Sequence, residues 1–307
     1  MMIRQPRYVP VLCFHRVLPA EFDAPLATCH RVRGLVVEQE VFREQMRRLD
    51  HLLQPVGLKE YLAWLRGEAA LPPNACLVTF DDGFRDLQEV ALPILAEMGF
   101  PVTAFVSVLQ SEQPQRAGPI DLWFATIEAW WHRSSKRSGH RRRLKELVHG
   151  EWSRAYLRAL PEDGKDHLER LGRELGVPAD TIPSVGDVYL DTAALRSLAG
   201  YGVDLASHGW DHVLLTTLGS RELAAQLESG LAWIRMLNPR ADPVLAYPNG
   251  SNDRRVQQAV EAAGFCAAFS VLPKKTLPDG PFAIPRYCIP NRITAIDEVA
   301  EGMEVRI

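Results

Sequence analysis

Leu77-Val78-Thr79-Phe80-Asp81-Asp82-Gly83-Phe84 sets an apolar, strand-forming run against two adjacent carboxylates and a glycine. Side chains alternate faces along a strand, so neighbouring carboxylates at its end point in different directions. One can hold a cation while the other faces a substrate, and Gly83 permits the sharp turn that follows. The plainer alternative is an Asp-Asp-Gly turn capping the helix that begins near Leu87. A phosphoaspartate-forming phosphatase is excluded, because that chemistry uses two aspartates separated by one residue.

Outward from this stretch, short apolar runs alternate with segments of helical period, the pattern of βα units around a parallel sheet. Strands are predicted over residues 9–14, 76–80, 102–106, 204–206, 244–247 and 267–271. Phe42, Met46, Leu49 and Leu53 recur at helical spacing, as do Leu87, Val90, Ile94 and Met98. Leu223, Leu227, Leu231 and Ile234 mark another helix with Ser220 as its N-cap. Val256, Val260 and Ala263 mark one more, closed by Gly264. Residues from about 109 to 190 break this rhythm and read as a helical insertion within one domain spanning 1–307.

Composition narrows the function. A net charge of -3 argues against nucleic acid as the main partner. Five scattered cysteines without a CxxC pair give no disulfide framework. No run approaches the length of a membrane span, and the first residues lack the apolar stretch of a secretory signal. The expected location is the cytoplasm.

Two more stretches follow predicted strands as the first one does. In Ala206-Ser207-His208-Gly209-Trp210-Asp211-His212, two imidazoles four residues apart fall on one face of a helical turn and can share a cation. Asp211 between them can orient an imidazole; a pair of solvent-facing or capping histidines is the alternative. In Leu245-Ala246-Tyr247-Pro248-Asn249-Gly250, the turn offers the N–H groups of Asn249 and Gly250 to a developing oxyanion, unless it is an ordinary strand-to-helix turn. A (β/α) barrel gathers the C-terminal ends of its strands at one rim. One Asp with His208 and His212 then makes a three-ligand site that leaves a metal position open for water or substrate.

Thr79-Phe80-Asp81-Asp82-Gly83, His208-x-x-x-His212 and Tyr247-Pro248-Asn249-Gly250 resemble the first three motifs of the NodB-type polysaccharide deacetylases, carbohydrate esterase family 4. The resemblance covers most of the chain outside the insertion. It implies a distorted (β/α) barrel of about seven strands, an Asp-His-His site usually holding zinc, and hydrolysis of acetyl groups from amino sugars. By position it implies Asp81 as general base, Asp82, His208 and His212 as metal ligands, and the Asn249 N–H as oxyanion donor, supported by Tyr247 and Pro248. Cobalt or nickel would fit similar geometry.

The sequence departs from that pattern at two points. No histidine follows His212, and Ala246 stands where an arginine is usual in the third motif. The Ala-Tyr-Pro-x-Gly variant is similar to bacterial exopolysaccharide deacetylases, including the poly-N-acetylglucosamine deacetylases, where the acid histidine is supplied near the N-terminus. His15 ends the strand over 9–14 and fits that role. Arg286, in Ala283-Ile284-Pro285-Arg286-Tyr287, fits the role of a partner for Asp81, or else of a surface or core-edge ion pair.

Trp123, Phe124, Ile127, Trp130 and Trp131 share one helical face in the insertion, beside a basic tract of Arg133, Lys136, Arg137, Arg141, Arg142, Arg143 and Lys145. Three readings are open: packing of the helix over the barrel mouth or a subunit contact with the basic tract as a solvated surface, peripheral attachment to an anionic membrane, and a platform on which Trp123, Trp130 and Trp131 stack against sugar. The function expected is metal-dependent deacetylation of an N-acetylated saccharide, in exopolysaccharide or envelope glycan metabolism. An O-acetyl sugar esterase and a non-catalytic, metal-containing carbohydrate-binding protein are the alternatives.

Overall fold

A computed structural model describes residues 8–22, 24–113, 118–134, 138–150, 164–178, 188–271 and 280–302. Seven parallel strands form a ring: β1 (Val11–Phe14), β5 (Ala75–Phe80), β6 (Thr103–Val106), β7 (Asp204–Ser207), β8 (Val244–Ala246), β9 (Ala267–Val271) and β10 (Ile284–Cys288). Their hydrogen-bonded order is β1, β10, β9, β8, β7, β6, β5, and β5 pairs back onto β1. This is the distorted (β/α) barrel expected. The short strands β2 (Arg16–Leu18) and β3 (Val36–Glu38) pair with each other, and β4 (Gln54–Pro55) pairs with the start of β5.

Barrel strands are buried on both faces, which is why they read as continuous apolar runs. Alternate side chains, among them Val11, Leu77, Phe105, Ala206, Ala246, Phe269 and Ile284, fill the interior together with Leu58, Tyr61 and Leu62 of the helix Leu58–Leu65. The intervening residues, such as Leu12, Val78, Ala104 and Leu205, pack against the helices Gln39–Leu52, Leu92–Glu97 and Thr192–Gly200. On the other flank, Leu245 and Ala268 pack against Ser220–Leu237 and Arg254–Ala262. The same two-residue period carries on toward the C-terminal rim. Cys13 and His15 follow Val11, Thr79 and Asp81 follow Leu77, His208 follows Ala206, and Arg286 and Cys288 follow Ile284.

β10 is absent from the predicted strands because Pro285 stands within it, and proline argues against an interior strand. It is tolerated here because Pro285 lies opposite Ser270 of β9, and pairing with β1 begins only at Tyr287. A smaller difference concerns the helix Ser220–Leu237. Gly219, not Ser220, is its N-cap, and Glu222 accepts the Gly219 N–H at 3.0 Å.

Between β6 and β7 the chain passes through the helices Pro119–Arg133, Ser138–His149 and Gly164–Leu175. Trp123, Phe124 and Ile127 pack with Leu144, Leu147 and Leu171 in a cluster that reaches Phe84 and Tyr189. Trp123 is wholly buried, so of the three readings packing fits this residue, and it has no surface to offer a membrane or a sugar. Trp130 and Trp131 are half-buried against the same cluster. Within the basic tract, Lys136 and Arg137 lie outside the described residues, and Arg143 pairs with Glu146 and Glu174. Among the described residues, no helix is long and apolar enough to cross a membrane.

Candidate active site

Asp81 stands on the inward column of β5, beyond Leu77 and Thr79. Arg286, on the inward column of β10, donates from Nη1 to Oδ1 at 2.6 Å and from Nη2 to Oδ2 at 2.7 Å. Both side chains are buried, and the guanidinium lies 5.2 Å from the centroid of the Phe105 ring. β1 separates these two strands and contributes Cys13, whose Sγ is 3.5 Å from Asp81 Oδ2. Two residues on, His15 brings Nε2 to 3.9 Å from the same oxygen. Burial alone would raise the Asp81 carboxyl, but the Arg286 charge and then His208 outweigh it and hold the carboxyl below its ordinary range. For His15, burial dominates and lowers the imidazole against the pull of Asp82 and Asp81.

Asp82 leaves the alternation. Its φ is +72° and that of Gly83 is +77°, so the chain turns in two left-handed steps and swings the second carboxylate toward the end of β7. There His208 Nδ1 donates to the Ala246 carbonyl at 2.8 Å, which places the ring proton on Nδ1 and leaves Nε2 with a bare lone pair. His208 Nε2 is 3.4 Å from Asp82 Oδ1, and His212 Nε2 is 3.1 Å from the same atom. The histidines do not share the helical turn expected. Gly209 (φ +82°) and His212 (φ +60°) fold the loop in left-handed steps that no right-handed helix contains, bringing the two ring centroids to 4.9 Å. Nor does Asp211 orient an imidazole; it accepts from Gln226, whose amide oxygen takes the Trp210 N–H. Asp82, His212 and Asn249 are three of the four non-glycine residues with positive φ among the described residues, so backbone strain concentrates at this site.

The geometry suits a cation. Asp82 Oδ1 is buried and accepts no well-aligned hydrogen bond, although both imidazole nitrogens approach it. The Asp82 carboxylate and the bare Nε2 of His208 are both acceptors and repel unless a positive charge joins them. The three donor atoms lie within 4.8 Å of one another. A tetrahedral zinc with bonds of about 2.0–2.1 Å needs ligand atoms about 3.3 Å apart, and the two measured separations match. Burial would raise Asp82, yet His212 and His208 hold it well below its ordinary range. Burial would likewise lower His212, yet Asp82 raises it. Cys13, His15 and Asp81 also converge within 4.8 Å, but Arg286 already engages both Asp81 oxygens and its charge repels a cation there.

β8 runs into Tyr247-Pro248-Asn249-Gly250. Tyr247 packs on the outer side of the barrel and its hydroxyl donates to the Phe282 carbonyl at 2.8 Å, anchoring the turn from behind. Pro248 lies against Gly209. Asn249 has φ +53°, and its backbone N–H donates to no other described residue. Gly250 has φ +65°, and a Cβ there would come within 2.6 Å of the Val271 nitrogen, so this turn sits tight against β9. Asn249 and Gly250 share a cavity of about 350 Å³ with His15, Asp81, Asp82, His208 and His212. The residues singled out at three strand ends and near the N-terminus therefore meet in one place.

The remaining lining includes residues that sequence reasoning missed, His30, Asp121 and Tyr189 among them. Asp121 accepts the Tyr189 hydroxyl at 2.7 Å and the Gly118 N–H at 2.8 Å, and burial pushes its carboxyl up to about 6 in spite of both. A carboxylate in the first turn of a helix is visible as a capping signal, but not its placement over a cavity. His30 carries no spacing signal at all.

Comparison with known proteins agrees with this geometry. The family model described as polysaccharide deacetylase matches residues 68–268, a span that holds Asp81, Asp82, His208, His212 and Asn249 but neither His15 nor Arg286. No curated protein matches the chain. Among solved structures, the deacetylase PplD of Streptococcus pyogenes, in complex with acetate, aligns with a TM-score of 0.64 at 13% identity, covering 98% of this chain and 100% of that one. IcaB from Ammonifex degensii aligns at 0.61 and 18% identity, covering 97% of each chain. A de-N-acetylase from Aggregatibacter actinomycetemcomitans aligns at 0.56 and 14%, covering 91% of this chain and 93% of its own. At such identities these structures share the fold, while the match over about two-thirds of the sequence carries the assignment: the chain belongs to the polysaccharide deacetylase family.

Proposed function

We propose that the protein is a metal-dependent hydrolase that removes the acetyl group from an N-acetylated saccharide of an exopolysaccharide or envelope glycan. The observation that carries this reading is the division between two adjacent carboxylates. Asp82 stands among the imidazole nitrogens of His208 and His212, whereas Asp81 is clamped by Arg286 and turned toward the same cavity beside His15. A protein that only bound sugar through a cation would have no use for the second arrangement. The Aggregatibacter neighbour, described as a de-N-acetylase, supports the choice of an amide over an ester.

Asp82, His208 and His212 are the residues that would hold the cation, with zinc the best fit and cobalt or nickel the alternatives. When bound, such an ion supplies Lewis acidity to the acetyl carbonyl and to the attacking water. Asp81, kept anionic by Arg286, takes a proton from that water. The two-pronged clamp also holds the carboxylate in one orientation. The Asn249 N–H donates to the oxygen of the tetrahedral carbon as negative charge develops there. His15 delivers a proton to the departing nitrogen, without which the amide C–N bond does not break.

Acetate release from N-acetylated and O-acetylated oligosaccharides, with and without chelator, tests the reading against an Asp81→Asn control. Release from the N-acetylated set, lost with chelator and in the variant, is the expected result. Release from O-acetylated sugars alone would make the protein an esterase, and zinc binding without any release would make it a binding protein.

A further inference from the structure

His30, on the helix Ala27–Arg33, lines the cavity and takes no part in these steps. It is 3% exposed, and its ring meets those of Phe84 and Phe124 edge-on at 5.4 and 5.5 Å. Its Nδ1 faces Arg16 Nη1 at 3.5 Å. Arg16 is itself fixed: Nε donates to Asp86 Oδ2 at 2.8 Å, Nη1 donates to the Pro25 carbonyl at 2.9 Å, and the guanidinium lies 4.9 Å from the Phe84 centroid. The other Asp86 oxygen takes the Val17 N–H at 2.9 Å, so the carboxylate that holds Arg16 is also held.

A guanidinium has donors and no acceptor, so it can meet Nδ1 only as the ring's acceptor. The one proton of the neutral ring is therefore on Nε2. That nitrogen donates to no described residue and is not among the buried atoms left without a partner, so it keeps some exposure to solvent on a residue that lines the cavity. Burial first, and the Arg16 charge second, hold the imidazole well below its ordinary value and keep it neutral. His15, His208 and His212 all lie beside a carboxylate; His30 lies beside a cation.

We propose that His30 is a substrate-binding residue whose tautomer Arg16 fixes, so that Nε2–H presents a permanent neutral hydrogen-bond donor to an oxygen of the acetylated sugar. This rests on the deacetylase reading above and adds a contact outside the segment shared with the family. A neutral donor between two aromatic rings suits a hydroxyl or carbonyl oxygen and gives no advantage to an anionic group.

Two measurements test it on the full-length, zinc-loaded protein. In nitrogen-15 NMR, His30 is expected to show a protonated Nε2, a bare Nδ1 and no titration between about pH 5.5 and 8. An Nδ1–H tautomer, or titration in that window, overturns the proposal. In steady-state kinetics with N-acetylglucosamine oligomers, His30→Phe should raise KM about tenfold or more with kcat and zinc content little changed. His30→Gln, whose amide can still donate, should recover most of the loss. Unchanged kcat/KM in His30→Phe, or a loss in His30→Gln equal to that in His30→Phe, overturns the assignment; should His30→Phe fail to fold, the tautomer of the wild-type ring decides alone. If wild type releases no acetate, the deacetylase reading fails separately, and calorimetric binding of the same oligomers decides for His30: equal affinity of wild type and His30→Phe overturns it.

Discussion

Arg286 and Asp81 are 205 residues apart in the chain, yet they meet inside the barrel through two short parallel hydrogen bonds. Breaking a buried pair by removing one partner costs about 3–5 kcal/mol, because a buried charge is left alone. Arg286→Met should therefore lower the free energy of urea unfolding by that order. Arg286 lowers the Asp81 carboxyl, and a general base works ionised, so its loss should move the acid limb of kcat/KM to higher pH. An acid limb that stays in place would remove Arg286 from the chemistry.

His15→Gln should separate amide from ester chemistry. Amide turnover is expected to fall by about 100-fold or more, since general-acid help is worth about that much. An aryl acetate, whose leaving group needs no proton, should be hydrolysed at a rate much nearer wild type. Zinc content should be unchanged. Equal losses on both substrates would mean that His15 serves the structure and not the leaving group.

Zinc should stabilise the fold through Asp82, His208 and His212. A ligand present at 100 times its Kd adds about 2.7 kcal/mol, so melting should rise by several degrees on zinc addition and fall back with chelator. His212→Ala should abolish the rise. Identical melting curves with and without zinc would dispose of the site.

Asp121 gives a pH-dependent stability whose sign opposes that of a salt-bridged carboxylate. Its folded value is raised to about 6, so it stays protonated in the fold while the unfolded chain has already ionised. Its contribution is thus fully present below the unfolded carboxylate value and is lost as pH rises through about 6. A shift of about two units corresponds to about 3 kcal/mol. The stability of metal-free wild type relative to Asp121→Asn should decline by that order between about pH 4 and 7. A constant difference would show that Asp121 is not shifted.

Trp123→Ala should destabilise by about 3–5 kcal/mol, the usual cost of emptying a large aromatic site. Because the ring is buried in the cluster of Phe124, Leu144 and Leu171, KM for acetylated oligomers should not follow. A raised KM in a fully folded variant would return this residue to the sugar.

Much of the candidate site was legible because its chemistry is local. Each of Asp81-Asp82, His208 and Asn249 follows an apolar run, and a closed parallel barrel delivers such ends to one rim. The two-residue alternation then brings Asp81 and Arg286 inward together. What escaped has equally specific causes. Pro285 hid β10. The spacing of His208 and His212 suggested a helical turn, whereas φ of +82° at Gly209 and +60° at His212 do the work of convergence. His30 and Asp121 come from helices that lie over the rim, and no periodicity in their own segments reports where those helices will rest.

The last strand of the ring in chain order, β10, carries Arg286. β10 slots between β1 and β9, so Asp82, His208 and His212, the proposed cation ligands, all precede in the chain the guanidinium that pairs with Asp81. On the proposed mechanism, the last strand of the barrel in chain order supplies the partner that keeps the base ionised.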